Sequence, residues 1–141
     1  DMNVIVCLDD RQVMMFCNRR QSQDRKLRER IVQRCNGTVL WMNAYSYKLY
    51  EEMTNDFIRV DENFLSKAQE GEVCLVESAL LKPYENKIEK LIVFWWNRHY
   101  PADFYLDLDL KNWKKEREEE FQGSSHENIT EEIYTKKEKN G

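Results

Sequence analysis

Four short runs of this chain are apolar almost without a break: 3–8, 38–42, 73–76 and 90–96. A strand with one wet face alternates apolar and polar residues, so runs that do not alternate predict strands covered on both faces. Stretches with helical spacing lie between them. Strand–helix alternation of this kind predicts a mostly parallel sheet with helices packed on each side.

The best-marked helix is predicted over 22–35, with Ser22 as N-cap and Asp24 as the acid of its first turn. Leu27, Ile31 and Cys35 recur every four residues and form one apolar stripe. At 100° per residue Asp24 falls within that stripe, which aims a carboxylate inward at the mouth of the helix. Asn36-Gly37 then supplies a left-handed stop. Further on, Asn43 caps a helix containing Tyr45, Leu49 and Tyr50, and 57–60 is a short strand. Asp61 caps a helix reaching Gln69, Gly71 stops it, and 83–87 is a helical turn. Phe104, Leu106, Leu108 and Leu110 alternate with Tyr105, Asp107 and Asp109, the pattern of a half-buried strand. The segment 113–121 fits either a helix, by its strong helix formers, or a strand, by its alternation. No repeat or linker divides the chain, so one domain is expected over 2–136, with a frayed tail at 137–141. Asp1 ahead of Met2 reads as a remnant of expression.

Thirteen Phe and Tyr with four Trp are too many aromatics for a disordered chain. The net charge of −4 hides an asymmetry, because residues 11–35 carry eight basic and two acidic side chains. Residues 51–141 carry 13 basic and 21 acidic ones, so the molecule is expected to be dipolar with one basic face. Cys7, Cys17, Cys35 and Cys74 form no C-x-x-C pair, which excludes a zinc ribbon or a thioredoxin motif. No run is long enough to span a membrane and no signal-peptide pattern is present, so a bacterial cytoplasmic protein with no membrane partner is expected.

The order of elements resembles dihydrofolate reductase. That family opens with a strand, a loop and a helix whose first turn carries a ligand-gripping carboxylate, and Asp24 falls at that place. Residues 40–45 resemble its strand-to-helix turn, 60–68 its helix on the cofactor side and 89–94 its sixth strand. Residues 103–109 followed by Trp113 resemble its closing strand and tryptophan, and the remainder to Lys136 its antiparallel hairpin. The resemblance implies a three-layer α/β domain with a mostly parallel central sheet and an antiparallel C-terminal hairpin. It also implies a ligand-gripping role for Asp24, and the cleft around Asp24 is expected to hold at least one aromatic side chain, Phe16, Tyr45 or Trp96, to stack on a flat ligand. The cofactor side departs from the family. Its Gly-Gly pair is replaced by Glu77-Ser78, and no two of the four glycines are adjacent. Close backbone approach to a pyrophosphate therefore lacks its usual residues, and Glu77 would repel the phosphates. The expectation is a dihydrofolate-reductase-like protein that binds a small polar or heterocyclic ligand without the usual NADPH site, with no cofactor specified. The alternatives are an active reductase with an altered cofactor mode and an RNA-binding or RNA-processing protein.

The last alternative comes from a second resemblance, to short clostridial-type proteins labelled ribonuclease Z. It is carried by Asp9-Asp10-Arg11, by 19–22 and by 96–103. A di-zinc ribonuclease needs a histidine cluster, and His99 and His126 are the only histidines here, so no metal site is expected. The basic stretch 19–34 could contact phosphates, but it lacks the interleaved aromatics of single-strand binders and reads first as a solvated face. Asp9-Asp10 fits a loop cap or a Mg²⁺ site, and His99 a structural residue or a proton donor.

Overall fold

The computed structural model describes residues 1–8, 13–16, 19–20, 24–35, 37–52, 56–95, 104–124 and 128–137; for 13–16, 19–20 and 104–105 it describes the backbone alone. Strands β1 (Met2–Leu8), β4 (Leu40–Met42), β5 (Ile58–Val60), β6 (Val73–Leu75), β7 (Ile88–Trp95), β9 (Trp113–Gln122) and β10 (Asn128–Lys136) form one sheet. Its order is β5-β4-β6-β1-β7-β10-β9. The four apolar runs are therefore contiguous at its centre. β1 pairs in parallel with β6 and β7, and β4 with β5 and β6. β10 runs antiparallel to β7 and β9, closing the sheet with the expected hairpin. A small second sheet joins β2 (Val13–Phe16), β3 (Arg19–Arg20) and β8 (Phe104–Tyr105).

Burial explains this order. β1 is buried at six of its seven positions and β6 at all three, as strands covered on both faces must be. One face carries helix α1 (Arg25–Arg34), whose Leu27 and Ile31 pack with Cys35 against Ile5, Cys7, Leu40, Leu75 and Phe94. The other face holds Val4, Val6, Val93 and Tyr134 under α3 (Phe64–Lys67), Leu81, Leu106, Leu108 and Trp113. Fully burying such a side chain is worth about 1.5–3 kcal/mol.

Several expected boundaries move. The first helix begins at Arg25, with Asp24 as its N-cap; Ser22 lies outside the described residues. The helix expected over 43–50 is a single turn, α2 (Ala44–Tyr47), capped by Asn43 Oδ1 accepting from Ser46 N at 2.8 Å. The helix expected to reach Gln69 is also one turn, because Ala68 is already extended. The alternation is a burial pattern over 106–110, with Leu106 and Leu108 buried, but the segment is not a strand of the main sheet. Past Tyr105, Asp107 accepts from the Leu81 and Lys82 amides and Asp109 from Lys111 N, so the segment turns instead of pairing. The ambiguous segment 113–121 is strand: cross-strand pairing with β10 outweighs its helix propensity.

Candidate functional site

Open parallel sheets bind ligands in the crevice at the carboxyl ends of their strands. At that edge β1 ends in Cys7-Leu8 and β6 runs out into Val76-Glu77. Glu77 is 4% exposed, although it follows a purely apolar strand. Its negative charge acts on Cys7 and Tyr50. Burial pushes the Cys7 thiol well above its ordinary range, and Glu77 adds to the rise. The Tyr50 hydroxyl is pushed up by burial first; Cys7 and Glu77 further oppose its ionisation, and Arg28 favours it. Glu77, Cys7, Tyr50 and Arg28 therefore converge on one buried polar region between the strand ends and α1.

Two hydroxyls in the segment after β4 are fully buried and have no hydrogen-bond partner among the described residues: Ser46 Oγ and Tyr50 Oη. Buried polar atoms without partners are costly, and functional sites are a common reason for keeping them. On the outer side of α1, a groove of about 550 Å³ opens between Arg25, Arg28, Glu29 and Val32 and the segment Leu49 to Glu52. Its lining carries charge of both signs together with Val32 and Leu49.

The four residues expected to form the ligand cleft have different placements. Asp24 is 9% exposed, so the carboxylate does point inward. Its Oδ1 accepts from Leu27 N at 3.0 Å and its Oδ2 from Ser124 N at 2.8 Å. The carboxylate thus caps α1 and grips the turn between β9 and β10, 100 residues away in sequence. A Cβ on Gly123 would come within 2.9 Å of Oδ2, so any other residue there would push the carboxylate away from the turn. The first turn of α1, Arg25-Lys26-Leu27, carries no acid. Tyr45 is half-buried in α2, and Tyr50, five residues on, is the aromatic that reaches the core under α1. Phe16 belongs to β2 in the small sheet, where only its backbone is described. Trp96 lies outside the described residues, as do Asp9-Asp10, His99 and His126. Among the described residues no three His, Cys, Asp or Glu side chains are grouped for a metal.

Among the described residues of the basic stretch, Arg25, Arg30 and Arg34 pair with acids. Glu131, 1% exposed, takes Arg30 at 2.8 Å and Arg34 at 2.5 Å, and Glu119 also pairs with Arg30 at 2.5 Å. Arg30 lies 4.5 Å over the Phe121 ring. Arg25 pairs with Glu29 one turn on. No described helix is long and apolar enough to cross a membrane.

No protein-family model matches the chain, and no curated protein does. Among solved structures, a dihydrofolate reductase from Enterococcus faecalis, complexed with NADP(H) and RAB-propyl, is similar with a TM-score of 0.70. The match covers 97% of this chain and 96% of that one at 10% identity. The fold is dihydrofolate-reductase-like.

Proposed function

We propose that this domain binds a small polar or heterocyclic ligand rich in N–H donors at the carboxyl edge of its parallel strands, and takes no dinucleotide in the manner of the reductases. The observation that carries this reading is Glu77, buried at the end of β6 where the reductases turn glycines toward a pyrophosphate. A carboxylate and a phosphate oxygen 4 Å apart repel by about 4 kcal/mol at an effective dielectric of 20. The same carboxylate suits a ligand that donates N–H bonds, and the Tyr50 hydroxyl, which feels the Glu77 charge, adds donor and acceptor capacity. Asp24 stands at the helix mouth with two acceptor sites in use, and a carboxylate has about four. The groove along α1 gives room for a substituent on the ligand.

Two titrations followed by tryptophan fluorescence and thermal shift test the proposal. NADPH should give no saturable binding at micromolar concentration, and a micromolar Kd (about −8 kcal/mol) would overturn the cofactor half. Pterins and diaminopyrimidines should raise the melting temperature of the wild type and lose that effect in Glu77→Gln. A shift equal in both proteins would remove Glu77 from the site.

A further inference from the structure

The C-terminal edge of the sheet is a surface with an ordered charge. β9 is the last strand in the order, and among the described residues its outer side meets no other strand. Over ten residues it presents backbone N–H and C=O groups outward, whereas the opposite edge, β5, has only three residues. Residues 114–120 are all exposed. An open edge of this length invites a further strand, and proteins usually block it with proline, bulges or charged side chains that repel a second edge. β9 has no proline, and its charges are sorted along the strand. Lys114, Lys115 and Arg117 lie in the first half, with Glu116 between them, and Glu118, Glu119 and Glu120 in the second.

This order is self-complementary in one orientation. A second copy laid antiparallel sets the basic half of each strand against the acidic half of the other, while a parallel copy sets like against like. Opposed charges on neighbouring strands attract and like charges repel, so the strand selects the antiparallel mode. Antiparallel pairing of identical edges is the isologous contact of a twofold dimer. The β-bulge of the β9–β10 ladder falls at Glu116, near the middle of the strand, and leaves a regular basic stretch before it, Lys114-Lys115, and a regular acidic stretch after it, 118–120. We propose that β9 is a homodimer interface, in which two copies join edge to edge into one continuous sheet.

Analytical ultracentrifugation of the full chain tests this. In 50 mM NaCl at tens of micromolar, the expected species has twice the 17.2 kDa chain mass, and 0.5 M NaCl should shift it toward monomer. Two double variants separate this surface from others. Lys114→Glu with Arg117→Glu makes the strand acidic, and Glu118→Lys with Glu120→Lys makes it basic. Lys114 pairs with Glu116 and Glu118 with Lys115, but these are exposed surface pairs that contribute little to stability, and none of the four residues forms an ion pair with Arg30, Arg34 or Glu132, so both variants should keep the wild-type circular dichroism and a cooperative melting curve. Each alone should be monomeric, and an equimolar mixture should restore the dimer. Hydrogen exchange should show the outward β9 amides protected at high protein concentration and not at low. A wild type that stays monomeric at 200 µM in low salt would overturn the proposal. So would a dimer that both variants retain.

Discussion

Asp24 shows how one residue can satisfy two descriptions. Its inward direction follows from the spacing of Leu27, Ile31 and Cys35, and the carboxylate is buried as that spacing requires. The partner of its second oxygen could not be read from the sequence, because Ser124 is 100 residues away and the pairing exists only once the hairpin is in place. The two oxygens predict a graded series. Asp24→Asn keeps one oxygen for the Leu27 amide but sets an NH₂ group against the Ser124 N–H, so it should cost about 1–3 kcal/mol. Asp24→Ala also removes the helix cap and should cost about 1 kcal/mol more. Urea unfolding of the three proteins measures both steps. An Asn variant as stable as the wild type would mean that the turn contact contributes nothing.

At the scale of elements, Glu132 ties three strands together on the face opposite α1. Its carboxylate accepts from Tyr134 Oη at 2.8 Å, Lys115 Nζ at 3.0 Å and the Trp95 indole N–H, thereby joining β10, β9 and β7. Burial works to raise its pKa, but the Tyr134, Lys115 and Trp95 donors outweigh burial and hold it below the usual glutamate range. A depressed carboxylate stabilises the fold above its unfolded pKa of about 4.3, and that stability is lost as pH falls through the lower, folded value. The unfolding free energy of the wild type should therefore exceed that of Glu132→Gln by about 1–3 kcal/mol at pH 6–8, with the gap closing below about pH 4. A gap that stays constant down to pH 3 would place the effect in packing and not in charge. The central strands were legible because burial on both faces leaves an unbroken apolar run, as in 73–76. β9 was not, because an exposed edge strand and an exposed helix call for the same charged residues. The short helices α2 and α3 were overextended for a related reason: cap signals such as Asn43 mark where a helix begins, while its end depends on tertiary contacts.

At the scale of the molecule, the charge asymmetry is an internal one. The basic helix α1 lies against the acidic hairpin, with Arg30 and Arg34 on Glu131 and Glu119, and Asp24 reaches the hairpin turn. Glu77 and Tyr50, by contrast, became visible as a cluster only when strand ends distant in sequence met under α1. The first and last thirds of the chain are thus one folding unit, and truncation tests it from both sides. Removing residues 113–141 would strip β7 of its antiparallel neighbour and take away Trp113, Ile129 and Tyr134 from the two cores. It would also leave Arg30 and Arg34, both less than one-third exposed, without their acids. Losing three large buried side chains at about 2–5 kcal/mol each exceeds the 5–15 kcal/mol that holds a typical domain together once the ladder and the ion pairs go as well. That variant should show no cooperative thermal transition by circular dichroism. Trimming only residues 137–141 leaves β10 whole and should change stability by less than about 0.5 kcal/mol. A cooperative transition in the longer truncation would mean that the parallel part folds by itself, and that the hairpin is an addition to the domain instead of half of its support.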